Sequence, residues 1–523
     1  MNLASAGKKL SSSAAAALER VNPIVVKEFR QAVQNRLVVS VLILFLMIDL
    51  LVMGLYLLSV DDVPSQAAGG RSVFMPLLCI LLITCMGFVP LYAAVRLSLE
   101  RNDTNIDLFF VTTITPAAIV RGKFLTATAL TMLIFSASTP FLTLTYLLRG
   151  IDLPMIFFTL WVGFCLCVVA NALGVFVGCV PGSWFIRGLV ALGAIICLIY
   201  MVGVMIEELG TYITYGIRMS MSSWEFWRIH GSFLLMGLLA VGLLHVFSIA
   251  LLSPKPSNRM FVPRLYLTAA WAISGLVLGL WSLWEKSDEP LAAWVIGSGI
   301  AFTVMLVAAS GERDAWGTRV RRTIPRNPLG RVVAFIFYTG SAGGITWCTI
   351  MLCATAITAL IGSGIVEPRR FAASSDLFGV VGTMACIFGY FLCYCLTAAA
   401  VRALCLKQLP NGFLPLAALM IGAATCIVPF VLVLVLSSGR REVGPELMIF
   451  NPFVLGMSDS FGKSAAPVVL MLWLGVSLLA SAVWFLEQWQ RFVPCRPARC
   501  PDVLGAMPST GDEEDRPVEV AAP

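Results

Sequence analysis

Charged residues are scarce in this sequence: they make up 12% of its 523 residues, against roughly 25% in a typical soluble domain. This scarcity argues against a soluble enzyme, a disordered scaffold and a nucleic-acid binder. Hydrophobic residues make up 59% of the chain. The composition therefore predicts a membrane protein whose surroundings are the lipid bilayer, and we expect no nucleic-acid partner.

Two signatures of chemistry are also missing. The two histidines, His230 and His245, cannot build a multi-histidine metal site, and no carboxylate cluster with ligand spacing accompanies them. The nearest approach to a phosphate-binding loop, Gly456 to Ser464, has five residues between its glycines where four are required. We therefore expect no ATPase activity, no catalytic residue, no cofactor and no metal in this chain.

Long apolar runs occur from one end of the chain to the other. A helix that crosses a bilayer needs about 20 apolar residues, and unbroken runs of that length form helices because the backbone must satisfy its own hydrogen bonds in lipid. We predict an all-α polytopic membrane protein with about twelve transmembrane helices. The predicted spans are 37–58, 73–95, 124–148, 155–180, 186–206, 229–253, 265–284, 291–309, 335–361, 377–401, 413–436 and 468–488.

Lysine and arginine are distributed unevenly between the two sides of this predicted bundle. The segments on the side of the N-terminus hold 26 of the 36 basic residues, and the segments on the other side hold 10. Because basic residues accumulate in cytoplasmic loops, we predict that both termini are cytoplasmic. An odd number of spans would disturb this alternation, so the charge pattern also favours twelve.

We predict no internal repeat: Asn327-Pro328 resembles Asn22-Pro23 in preceding an apolar run, but the neighbouring residues do not match.

Composition divides the chain into four parts. The predicted parts are a cytoplasmic amphipathic segment (1–36), a six-span domain (37–253) with a cytoplasmic loop (96–123), a second six-span membrane domain (254–490) and a disordered cytoplasmic tail (491–523).

The segment that follows Val21 predicts an amphipathic helix. Asn is a good N-cap and Pro suits the first helical position, while Val26, Phe29 and Val33 fall on one face. Such an elbow helix would lie in the cytoplasmic interface of the membrane; the alternative is a basic helical flank of the first span. Its candidate residues are Asn22, Pro23, Lys27, Glu28, Phe29 and Arg30.

The loop between the second and third spans carries a short apolar stretch between charged residues. Thr104 and Asp107 are placed as a capping box ahead of this stretch, and Thr115-Pro116 begins another helix. A helix of this composition exposes Phe and Leu unless a partner binds it or it packs on the membrane surface. Both possibilities are open from the residues alone.

Two polar residues lie within predicted spans. Asp49 is the only acidic residue that lies deep within a predicted span, which makes it a candidate functional residue. The alternative is that it is a protonated or hydrogen-bonded residue that serves helix packing. Asn171 is a second intramembrane candidate. Two glycine pairs, Gly174 with Gly178 and Gly275 with Gly279, have the spacing of close-packing motifs between helices.

The elbow segment and the loop together resemble the permease (transmembrane) subunits of type-2 ABC exporters, over roughly residues 20–253. The family's loop reads roughly E-R-x-x-x-T-x-[ED]-L-L followed by P-x-x-x-x-x-G-K, and the threonine stands one position earlier in this chain. The matching candidates are Glu100, Arg101, Thr104, Asp107, Leu108 and Phe109, with Phe110 beside them, and then Pro116, Gly122 and Lys123.

The resemblance implies that the loop holds a coupling helix, which docks on a separate ATP-binding subunit that carries ATP and Mg. It also implies a location in the inner (cytoplasmic) membrane, and short re-entrant helices in the outer segment 207–230. The six further spans depart from the family. They are either a degenerate second permease unit or an added domain, so the need for a second permease chain is open.

Two other classes of function are compatible with the sequence. Twelve spans with both ends inside suit a secondary transporter driven by an ion gradient, which would need intramembrane ionisable groups or broken helices in both halves. The other class is a membrane protein without transport activity. The spans are too uniformly apolar to indicate a substrate.

Overall fold

Helices form the regular structure of the computed structural model, which contains no strand among the residues it describes. These residues are 23–59, 69–100, 115–148, 151–181, 184–215, 222–254, 257–366, 376–406, 408, 411–437, 451 and 466–495. The helices are α1 (Pro23–Val33), α2 (Arg36–Ser59), α3 (Gly69–Ile83), α4 (Val89–Glu100), α5 (Pro116–Leu147), α6 (Leu153–Cys179), α7 (Trp184–Tyr215), α8 (Trp224–Leu252), α9 (Phe261–Glu285), α10 (Glu289–Ser310), α11 (Thr318–Thr323), α12 (Pro328–Phe337), α13 (Ser341–Val366), α14 (Asp376–Leu404), α15 (Leu414–Ser437) and α16 (Ala466–Arg491).

Twelve helical segments in the described part of the chain are long and apolar enough to cross a membrane. Each overlaps one predicted span, so the prediction of a polytopic all-helical membrane protein is confirmed. A π-helical turn at Thr84–Phe88 joins α3 and α4 into the second span. The side on which α1 lies is called the inner side below, after the predicted orientation.

The predicted start of the ninth span is wrong. Phe335 belongs to the separate short helix α12, and the spanning helix α13 begins at Ser341. The chain turns between these helices, where the Glu312 carboxylate accepts the Gly340 N–H at 2.7 Å. The turn carries Tyr-Thr-Gly-Ser at residues 338–341, between two apolar stretches, so the glycine and hydroxyl residues were an available signal of the break.

The prediction of short re-entrant helices before the sixth span is also wrong for the described residues of that segment. Helix α7 continues to Tyr215, and α8 begins at Trp224. The Ser223 hydroxyl caps α8 by accepting the Phe226 N–H at 3.3 Å. The described polar residues of this segment therefore lie mainly on the last turns of one long helix and on the first turns of the next.

The chain divides into two compact units. The first comprises residues 1–255, 259–294 and 362–369, and the second comprises 256–258, 295–361 and 370–523. The first unit thus contains α9 as well as the first six spans. The predicted boundary between residues 253 and 254 stays a prediction.

The fourth span packs closely against the second span in the first unit. A Cβ atom on Gly174 would overlap the backbone of Pro90, and one on Gly178 would lie 2.9 Å from the Ala94 carbonyl oxygen. Small residues permit this approach because membrane helices associate through close packing rather than through exclusion of water. The prediction of a close-packing motif at Gly174 and Gly178 is confirmed.

The second glycine pair behaves differently. A Cβ atom on Gly275 would lie 2.7 Å from the Trp294 ring, which is a side chain rather than a helix backbone. A Cβ atom on Gly279 would have no atom within 4 Å in the described structure. The predicted role in helix packing is therefore wrong for Gly279.

We expect Gly174→Ala to destabilise the protein, because the added methyl group must displace the backbone of α4; overpacking of this kind costs about 1–3 kcal/mol. The matched control is Gly279→Ala, which has open space and should be neutral or slightly stabilising. Thermal unfolding of the two full-length variants in detergent measures the difference. Equal melting temperatures would contradict the close approach of α4 and α6.

Candidate functional site

Four charged side chains form a network on the inner side of the first unit, where α1, α4 and α5 meet. The Lys123 ammonium lies 2.7 Å from the Glu28 carboxylate and 2.7 Å from the Glu100 carboxylate. The Arg96 guanidinium lies 3.5 Å from Glu100 and 3.9 Å from Glu28. Each cation therefore faces both carboxylates, and the charges balance within the network.

The network is partly removed from solvent. The side chain of Lys123 is 5% exposed and that of Glu28 is 12% exposed, whereas Arg96 and Glu100 are 26% and 34% exposed. A buried ammonium is strongly unfavourable unless carboxylates and hydrogen bonds compensate for its lost hydration. The two carboxylates supply this compensation, so the position of Lys123 depends on both α1 and α4.

Neutral hydrogen-bonding groups extend the network to the start of the first span. Arg96 donates to the Tyr92 hydroxyl at 2.9 Å and to the Gln31 side-chain oxygen at 2.6 Å. The Asn35 amide donates to the same Tyr92 hydroxyl at 3.4 Å, while its oxygen accepts the Leu37 N–H at 3.0 Å. The elbow helix, the start of α2, the end of α4 and the start of α5 are thereby joined.

Local sequence explains why the helices begin and lie where they do. Pro116 occupies the first turn of α5, and the Thr115 hydroxyl accepts the Ala118 N–H at 3.3 Å, as the helix-start prediction requires. The predicted amphipathic helix is present as α1. Its Ala32 is buried, and its Phe29 and Val33 pack against the core of the unit.

The structure brings three of the predicted site residues together: Glu28, Glu100 and Lys123. Lys27 and Arg30 are exposed on α1, whereas Gly122 is buried in α5. Pro23 and Pro116 begin α1 and α5. The predicted site residues that lie outside the described residues are Asn22, Arg101, Thr104, Asp107, Leu108, Phe109 and Phe110.

Sequence reasoning missed Arg96, Tyr92 and Gln31 as members of the site. One signal was available for Arg96, because it stands four residues before Glu100 on a helix, where opposite charges attract. Gln31 and Tyr92 carried no comparable signal.

The two intramembrane candidates lie apart from the network. Asp49 is fully buried, and neither of its carboxylate oxygens has a hydrogen-bond partner in the described structure. It lies on the face of α2 that also carries the buried Phe45 and Met53. The Asn171 amide donates to the Thr131 hydroxyl at 2.9 Å and so links α6 to α5.

An apolar groove of about 770 Å³ lies between α6 and α8. At its outer end the His230 Nδ1–H donates to the Phe226 carbonyl oxygen at 2.7 Å, which leaves Nε2 to accept from the Tyr212 hydroxyl at 3.4 Å. The groove could hold an apolar chain, and the sequence did not indicate it. Residues lining it include Phe158, Trp161, Trp227, Leu234 and Leu238.

Comparisons with protein-family models, with curated proteins and with solved structures found no match. The chain's own residues therefore have to indicate its function, and those that do so are the charge network and the loop residues that resemble a coupling segment.

We expect Lys123→Met to destabilise the protein by about 3 kcal/mol, because removing one partner of a buried ion pair leaves the other charge uncompensated. Adding Glu28→Gln should recover part of this loss. Thermal unfolding of the single and double variants in detergent measures the coupling between Lys123 and Glu28.

The control is Arg491→Gln, at an ion pair whose side chains are 63% and 54% exposed; its effect should be within about 0.5 kcal/mol. A Lys123→Met effect no larger than that of the control would refute the network's structural role.

Proposed function

We propose that this chain is the permease subunit of an ABC transporter of the type-2 exporter kind, located in an inner (cytoplasmic) membrane. A separate subunit would bind and hydrolyse ATP with Mg, and this chain would move the substrate. The observation that supports the proposal most is the network that joins Glu100 and Lys123. These residues flank the segment that holds the predicted coupling helix.

The network gives this segment a mechanical connection to the membrane helices. Glu100 ends α4 and Lys123 lies in the second turn of α5, so a force applied between them acts on the inner ends of the second and third spans. Glu28 carries the same displacement to α1. Because the charges are hydrogen-bonded and partly buried, the three helix ends would move together when the ATP-binding subunits close.

The elbow helix would keep this movement at the surface of the membrane. Its apolar side packs on the unit through Phe29 and Val33, while Lys27 and Arg30 are exposed. Exposed basic residues near a membrane surface attract anionic headgroups by about 1 kcal/mol each. The bilayer would therefore keep α1 at the level of the inner surface while α1 moves with the inner ends of the second and third spans.

We expect the double substitution Phe109→Asp with Phe110→Asp to abolish docking of an ATP-binding subunit on the coupling segment and so to lower the amount of that subunit the chain retains, because these residues supply the apolar surface of the proposed coupling helix. The measurement is affinity purification of the tagged full-length chain from its native host in mild detergent. A co-purifying protein is accepted if it contains a phosphate-binding loop and the complex hydrolyses ATP. Membrane insertion should be unchanged.

The matched control is Val493→Asp, which introduces the same charge at an exposed apolar residue on the predicted inner side. This variant should retain the ATP-binding subunit. The proposal fails if the wild type retains no such subunit, or if the double variant retains as much of it as the control does.

One observation favours a second candidate function, a transporter driven by an ion gradient. Asp49 is buried without a hydrogen-bond partner in the described structure, and buried carboxylates in membranes often carry protons or bind cations. The ABC proposal assigns Asp49 no transport step, so the two functions differ in what this residue must do.

We expect Asp49→Asn to leave ATP hydrolysis by the purified complex unchanged, because the amide keeps the shape of the side chain without a titratable group. An ion-driven carrier would instead take up protons or sodium when vesicles containing the chain alone are placed under an imposed gradient. Such uptake in the wild type, lost in Asp49→Asn, would replace the ABC proposal with the second candidate.

A further inference from the structure

The second unit contains the same order of elements that opens the first unit. In the first, the short helix α1 precedes four spans, formed by α2, α3 with α4, α5 and α6. In the second, the short helix α12 precedes four spans, formed by α13, α14, α15 and α16. Both short helices begin with the proline of an Asn-Pro pair, at Pro23 and at Pro328.

A short sequence recurs at the same place in both series. The second span of the first unit contains Ala-Ala-Val-Arg near its end, at residues 93–96, and the second span of the second series contains Ala-Ala-Val-Arg near its end, at residues 399–402. Arg96 is 73 residues after Pro23, and Arg402 is 74 residues after Pro328. Each arginine lies in the last two turns of its helix.

The two arginines also have the same kind of partner. Arg96 lies 3.9 Å from Glu28 and reaches the start of α2 through Tyr92 and Asn35. Arg402 lies 3.9 Å from Asp314, whose other oxygen accepts the N–H of Ser341, the first residue of α13, at 3.3 Å. In both units an arginine at the inner end of the second span is linked to the start of the first span.

The second span also contacts the fourth span in both units, although the contacting groups differ. In the first unit this span lies against the fourth span at Gly174 and Gly178. In the second unit the Tyr394 ring lies 5.5 Å from the Trp473 ring of α16, and its hydroxyl accepts from Thr425 of α15 at 3.0 Å. In both series the second span therefore neighbours the fourth span, through glycines in the first unit and through aromatic rings in the second.

Differences between the units show how far the second has diverged. Helix α1 packs against α5, the third span, through Glu28 and Lys123. Helix α12 instead contacts α16, the fourth span, where the Phe335 ring lies 5.3 Å from the Trp489 ring. The second series ends at α16, so it has no counterpart of α7 and α8 among the described residues.

We infer that residues 328–491 form a second, shortened permease half, and that one chain supplies both membrane surfaces that a pair of ATP-binding subunits needs. This inference rests on the proposed function. ATP-binding subunits that close as a pair with two-fold symmetry present two equivalent surfaces to the membrane. A chain with two halves satisfies both surfaces without a second copy of itself.

The test measures the composition of the purified complex. Two differently tagged copies of the full-length chain are co-expressed in the native host, and the complex is purified through one tag and weighed by native mass spectrometry. We expect one 56.6 kDa chain with two ATP-binding subunits, and no copy carrying the other tag. Two copies of the chain in a complex with ATP-binding subunits would overturn the inference and leave the proposed function intact. Absence of any ATP-binding subunit would overturn both.

A second arm tests Arg402 as a positioning residue of the second half. Arg402→Gln should lower the ratio of ATP-binding subunits to chain from two towards one, and Arg402→Lys should restore part of it because the charge opposite Asp314 is kept. The control is Arg491→Gln, at an exposed pair in the same unit, which should keep the ratio at two. A ratio of two in properly folded Arg402→Gln would count against the inference. If that variant aggregates, the result of the two-tag experiment decides.

Discussion

The buried ammonium of Lys123 is the interaction on which the inner side of the first unit depends. A charge with 5% exposure is tolerated only where carboxylates replace the water it has lost. The two carboxylates come from different helices, one of them 95 residues away in the chain. Satisfying a single ammonium therefore determines how α1, α4 and α5 are placed relative to one another.

Packing within lipid obeys a different constraint. Exclusion of water does not drive membrane helices together, so they associate where backbones approach closely or polar side chains meet. The first unit uses both means, through Gly174 and Gly178 against α4 and through the Asn171–Thr131 hydrogen bond. These contacts hold the second, third and fourth spans together within the membrane, and the charge network lies at the inner ends of the second and third spans.

A rigid inner side combined with an apolar bundle suits a protein that receives force from a partner. The charges cluster where α1, α4 and α5 meet, and the groove between α6 and α8 is apolar apart from its outer end. Asp49 of α2 is a buried carboxylate outside the network. The proposed permease would accept force at the network and accommodate its substrate among surfaces of low polarity. The repeated series of short helix and four spans would extend the same arrangement to the second unit.

Much of the helical architecture could be predicted from the sequence, because hydropathy, proline and capping act over a few residues. Twelve spans, the start of α5 at Thr115-Pro116 and the close approach at Gly174 all follow from local residue types. The partner of the turn before Ser341 could not be predicted, because Glu312, which accepts the N–H of Gly340, lies 28 positions away in the chain. The tertiary structure also decided that Glu28 pairs with Lys123, that Arg96 joins them, and that Arg402 occupies a corresponding position in the second unit. These features depend on which helices become neighbours, and contacts between distant segments of the chain determine that.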